Sequence, residues 1–124
     1  MILSINHIQL VAEKDLVIQL RDFYCDVVGL TEGFRPAFER FGFWLYIRDK
    51  DVLHLITPKE GDSRSLQKSS FDHVAFKTDH YQEVLQELRR LNIPFDEKPI
   101  PGMSAHQIFL KDPAGNRVEL NFED

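Results

Sequence analysis

The sequence predicts an α+β domain built from two tandem βαβββ modules. Three observations carry that expectation: the same order of strand, helix and strands occurs twice, a polar stretch without apolar periodicity separates the copies near the middle, and four polar residues fall at matching places in the two copies. At 124 residues with 43% hydrophobic content, the chain is long enough for one domain with its own core.

The first copy opens with the alternating run "ILSINHIQLV", a strand pattern. From Asp15 to Val28 the apolar residues Leu16, Leu20, Phe23, Tyr24 and Val27 recur at helical spacing, and Gly29 is placed to end that helix. An extended piece around Gly33 to Phe38 follows, then the aromatic strand "FGFWLYI", the polar turn "RDKD" and the strand "VLHLIT", which Pro58 closes. The stretch "KEGDSRSLQKSS", residues 59–70, reads as an exposed linker between modules at about 1–58 and 71–124. The second copy runs from "FDHVAFKT" into the helix "DHYQEVLQELRRL", with Val84, Leu85, Leu88 and Leu91 on one face. It continues through "IPFDEKPI" and "SAHQIFLKD", turns at "PAGN", and ends in "RVELNF". Pro113 and Gly115 serve that turn as hairpin punctuation.

A net charge of -5 and a pI near 5.5 exclude nucleic acid and anionic membrane as expected partners, since both need clustered Lys and Arg. A small neutral or weakly charged ligand fits better. The lone Cys25 has no internal disulfide partner, and "MILSINHIQLVAEKD" has neither a basic leader nor a long apolar run, so the expected location is the cytoplasm.

An offset of 66 residues takes His7 to His73, and one of 65 takes His54 to Glu119. Residues two apart in a strand share a face. Ile8 and Leu10 therefore oppose His7 and Gln9, and Leu53 and Leu55 oppose His54. Val74 and Phe76 oppose His73, while Val118, Leu120 and Phe122 oppose Glu119. All four polar groups are expected on the face away from the helices, converging in one cavity if two curved sheets face each other. Three imidazoles and a carboxylate suit one divalent ion per site, with Zn, Fe, Mn, Ni and Co not distinguished. The same parity puts Gln9, Trp44, Tyr46, Gln107 and Phe109 on the cavity face as a substrate-binding wall. His80, at a helix start, is expected to be exposed or capping. His106 shares a face with Ile108 and Leu110 and should point away from the cavity.

The landmarks "NHIQLVA", "FYCDVVGL", "GFWLYI", "LHLI", "FDHVAFKT" and "IFLKDPAGNRVELNF" resemble, in order, those of the vicinal oxygen chelate superfamily, which includes glyoxalase I, extradiol dioxygenases, fosfomycin-resistance transferases and bleomycin-binding proteins. The resemblance implies two βαβββ modules around a U-shaped metal cavity, with ligands at His7, His54, His73 and Glu119, and a homodimer where modules are shared between subunits. The expected activity is that of a metal-dependent lyase or isomerase acting on a small oxygenated substrate, with Glu119 as general base and Tyr46 as proton donor. Glyoxalase I carries an acid at the place of His54, and this chain has only isolated basic candidates for a glutathione site, such as Arg35 and Lys98. An Fe(II) dioxygenase would use His7, His73 and Glu119, with His54 as a nearby acid or base. For a fosfomycin-type transferase, Lys98, Ser104 and Lys111 are a weak echo of a cationic pocket. A metal-free binding protein would instead use Trp44, Tyr46, Phe41 and Phe109 as an aromatic groove. The fold does not choose among these.

Overall fold

The computed structural model describes residues 1, 3–61, 73–99 and 106–122. The chain divides into two compact units, Met1–Lys68 and Ser69–Asp124. Most of the expected linker lies outside the described residues, as does Ser104. Among the described residues no helix is long and apolar enough to cross a membrane.

The first unit runs β1 (Ile8–Val11), α1 (Lys14–Phe23), a π-helical turn (Tyr24–Val28), β2 (Thr31–Gly33), β3 (Gly42–Ile47) and β4 (Lys50–Ile56). Its sheet has the order β1-β4-β3-β2, with β1 parallel to β4 and the other pairs antiparallel. The second unit runs β5 (His73–Thr78), α2 (Tyr81–Arg90), β6 (Asp96–Pro99), β7 (His106–Lys111) and β8 (Arg117–Phe122), in the order β5-β8-β7-β6 with the same pattern of parallel and antiparallel pairs. Each unit is thus one βαβββ module.

Apolar side chains at helical spacing bury the inner stripe of each helix. On α1, Val17 and Leu20 are fully buried; on α2, Leu88 is fully buried and Leu85 nearly so. Burying one such leucine stabilises the fold by about 2 kcal/mol. Leu45, Leu53 and Leu55 line the packing face of the first sheet, and Ile108, Val118 and Leu120 that of the second. His106 stacks on Tyr81 of α2 at 4.4 Å, on the helix side where the alternation places it.

The helix expected over residues 15–28 is broken into two pieces. The Gly29 amide bonds the Tyr24 carbonyl at 3.0 Å, five residues back, which widens the last turn, and Gly29 ends it at φ 99°. The extended piece expected near residues 33–38 is shifted: β2 stops at Gly33, and Pro36, with no N–H, cannot carry the ladder further. The first strand is shorter than its sequence pattern, so His7 lies just ahead of β1. Phe41 is not a groove residue. Its ring meets Phe43 edge-on at 5.1 Å and Lys14 of α1 sits 4.9 Å over it, on the helix side of the sheet, as its odd-numbered parity with Phe43 and Leu45 requires.

One irregularity shapes the first unit. Leu45 pairs with Leu53 but Tyr46 pairs with Asp51, so Val52 is an extra residue in β4. This β-bulge reverses the alternation on its far side. Asp51, which strict alternation groups with Leu53 on the packing face, turns to the face that carries His54.

Candidate functional site

In the first unit the site is built around His54. Parallel pairing sets Gln9 beside His54 on one side, and antiparallel pairing sets Trp44 beside it on the other. His7, two residues before Gln9, therefore reaches the same face. The His54 ring stacks on His7 at 3.8 Å and on Trp44 at 4.1 Å, both nearly parallel. Its Nε2 meets the Asp51 carboxylate at 2.6 Å. His54 is 8% exposed, whereas His7 is exposed and its Nδ1 meets Asn6 Oδ1 at 2.8 Å.

Burial lowers the His54 pKa from the ordinary imidazole value; the Asp51 hydrogen bond opposes this and the neighbouring His7 adds to it. The same hydrogen bond lowers the Asp51 pKa. A carboxylate beside a neutral imidazole assigns the ring proton to Nε2, donated to Asp51, and leaves the lone pair on Nδ1. A ring held in this way by a carboxylate is the arrangement that fixes the tautomer of a metal-binding histidine.

In the second unit Ala75 pairs with Glu119 as Gln9 pairs with His54, and His73, two residues before Ala75, stands diagonal to Glu119 as His7 stands to His54. His73 Nε2 is 3.3 Å from Glu119 Oε1. Asn121 donates to Glu119 Oε2 at 3.0 Å, and Glu119 is 5% exposed. Phe109 pairs with Glu119 across the ladder and meets His73 edge-on at 6.0 Å, while the Arg117 guanidinium lies 4.0 Å and the Lys98 ammonium 5.4 Å from the centre of the Phe109 ring. Gln107 pairs with Asn121 on the same face and is half-buried.

These distances test the donor set against an ion. Two donor atoms each about 2.1 Å from a shared ion stand roughly 3.0–3.4 Å apart, and the His73–Glu119 separation of 3.3 Å falls in that range. The first pair fits by residue type, but its rings are parallel and 3.8 Å apart. One ion cannot lie in both ring planes, so joint ligation needs one imidazole to turn. Among the described residues no group of three or more His, Cys, Asp or Glu side chains is gathered for one ion.

Other candidates lie elsewhere. Tyr46 turns toward β2, donating its hydroxyl to the Phe34 carbonyl at 2.6 Å. His80 is exposed at the start of α2, makes no side-chain capping bond and pairs with Asp79 at 2.8 Å. The "DPAGN" turn is more than punctuation: Asp112 is 4% exposed and accepts bonds from the Ala114 and Asn116 amides and from Asn116 Nδ2. Sequence reasoning missed Asp51 and Asn121. Asn121 shares the parity of Glu119, a signal that was present; Asp51 had none, because the bulge that turns it is invisible to strict alternation.

Residues 4–120 match the model of the Glyoxalase/Bleomycin resistance protein/Dioxygenase superfamily, and the chain belongs to that family. No curated protein matches it by sequence. Among solved structures it is similar to a protein from Bacillus anthracis assigned to the glyoxalase family (24% identity, 100% of this chain and 98% of that one, TM-score 0.75). It is also similar to lactoylglutathione lyase from Agrobacterium tumefaciens (22%, 96% and 92%, TM-score 0.67). A third is a mutant of the fosfomycin resistance protein FosX from Listeria monocytogenes, complexed with Mn(II) and 1S,2S-dihydroxypropylphosphonic acid (19%, 100% and 95%, TM-score 0.74). At these identities the likeness is one of fold.

Proposed function

We propose that the protein is a metal-dependent enzyme of the glyoxalase-like lyase or isomerase type, acting on a small oxygenated substrate that chelates a divalent ion. The observation that carries this reading is the repeated donor pair: His7 diagonal to His54 and His73 diagonal to Glu119, at equivalent register in the two units. The reading makes both pairs ligands of one ion, drawn from one chain or from two chains of a homodimer. The Mn(II) held by the FosX complex supports a divalent ion in this fold, and the mixed nitrogen and oxygen donors suit Zn, Fe, Mn, Ni or Co.

A bound ion would supply Lewis-acid polarisation of a substrate oxygen. Glu119 is the proposed base: Asn121 holds Oε2, so Oε1, on the His73 side, would have to give up its place as a ligand before taking a proton from the carbon beside that oxygen. Gln9, Trp44, Gln107 and Phe109 are the proposed walls. Tyr46 would return a proton only after releasing Phe34.

One observation favours a second reading. The Nε2 of His54 is already engaged by Asp51, which suits a triad of His7, His73 and Glu119 with His54 as a nearby acid or base, the donor set of an Fe(II) extradiol dioxygenase. The test is elemental analysis of protein purified without added metal, alongside His54→Ala and Glu119→Ala. Loss of metal in both variants supports four ligands, loss in Glu119→Ala alone supports the triad, and equal metal in all three removes both readings. Turnover screened on methylglyoxal with glutathione and on catechols then separates the reactions. Glu119→Gln should lose turnover at least a hundredfold while keeping its melting temperature; full activity would reject Glu119 as the base.

A further inference from the structure

The first unit holds a cleft of about 650 Å³ lined by Trp44, His54, Arg35 and Arg40 among others. Both arginines are half-buried. Arg35 donates through Nη2 to the Arg40 carbonyl at 3.0 Å, and Arg40 through Nη1 to the Thr57 carbonyl at 3.3 Å. A guanidinium has five N–H donors, so most donors of both remain unspent, and the buried Nε of Arg35 has no acceptor. Glu39, Glu60 and Lys59 also line the cleft. Among the described residues neither glutamate comes within ion-pair distance of Arg35 or Arg40.

Among the described residues, the two cations therefore line one cleft without a carboxylate in ion-pair contact with either. Burial, then the neighbouring charge of Arg40, lowers the Arg35 pKa. Their positions are nevertheless fixed. The Arg35 guanidinium lies 5.0 Å over the Phe38 ring, and its Nη2 approaches Gly42 so closely that a Cβ there would stand 3.2 Å from it. Two guanidiniums lining one cleft, each with donors unspent among the described residues, make a preorganised receptor for an oxyanion.

We propose that Arg35 and Arg40 bind the oxyanion, carboxylate or phosphate, of an anionic substrate whose body lies along Phe38 and Trp44 toward His54. This rests on the reading of His54 as part of the reaction site, and it names the class of substrate: a small organic acid or phosphate ester rather than a neutral molecule. Bidentate geometry explains why arginine rather than lysine occupies both positions.

Trp44 is the sole tryptophan of the chain and lines the cleft, so its fluorescence reads occupancy directly. Chelator-treated protein is titrated with inorganic phosphate and, separately, with benzoate, at ionic strength held constant with sodium chloride. Saturable change with either anion is expected, and the arm that saturates tells phosphate from carboxylate. Arg35→Gln and Arg40→Gln should each weaken binding at least tenfold with circular dichroism unchanged. If Arg35→Gln does not fold, Arg40→Gln decides. No saturation with either anion, or unchanged affinity in the folded variants, overturns the proposal. Because metal is absent throughout, anion binding by a protein that never takes up metal rejects only the metal reading. Metal uptake without anion binding rejects only this one.

Discussion

At the residue scale the chain concentrates its unusual chemistry on His54. Two flat rings and a carboxylate hold one imidazole, and each partner constrains a different freedom: the stack sets the ring plane and Asp51 sets the tautomer. If His54 is a ligand, Asp51→Asn should weaken metal binding about 10- to 100-fold by calorimetry, without loss of the metal-free fold. A second prediction concerns pH. The folded pKa of His54 lies below its ordinary value, with burial the largest cause, so the folded state resists its protonation more than the unfolded chain does. This contribution is fully present above the unfolded value near 6.5 and is lost as pH falls from there toward the folded pKa. Metal-free protein should thus lose melting temperature as pH falls below about 6.5, and His54→Gln should flatten that slope; identical slopes would contradict the assignment. Period-two alternation was enough to put His54 and Trp44 on one face, because β3 and β4 are regular there. It failed at Asp51, where a single extra residue resets the count.

At the scale of elements, apolar spacing located both helices and the strands, since each must bury one stripe or one face. Their ends were less legible. The widened turn of Tyr24–Val28 keeps nearly the same apolar spacing as an α-helix, and the early stop of β2 depends on Pro36 in a segment that otherwise reads as extended. Close backbone approach was not legible at all. A Cβ on Gly42 would stand 2.1 Å from the Leu55 carbonyl of β4, a backbone atom that cannot swing aside. Gly42→Ala should therefore cost about 1–3 kcal/mol in denaturant unfolding and should also disturb the Arg35 guanidinium. A variant as stable as the parent would show that β3 and β4 can separate there at no cost. Leu88→Ala, which empties a fully buried position on α2, should cost about 2–5 kcal/mol.

At the scale of the whole molecule, the sequence displayed the repeat because both modules place their polar pairs at one register, and it did not display which chemistry the repeat serves. The identity of a fold shared by many reactions is carried by backbone ladders, whereas the reaction depends on a few side chains and their neighbours. If both units serve one ion, metal at a hundred times its Kd should stabilise the protein by about 2.7 kcal/mol. His7→Ala in one unit and His73→Ala in the other should each abolish most of that gain in a thermal shift assay. A gain lost in only one of the two variants would confine the ion to a single unit. The parallel pairing of β1 with β4, and of β5 with β8, has a kinetic consequence. Each donor pair straddles contacts between the opposite ends of its unit, the pairing that must close the longest loop and hence forms slowly. Refolding should therefore complete the helices and hairpins before the histidines meet their partners, so that in each module the pairing of His7 with His54, or of His73 with Glu119, emerges as the final event of its maturation.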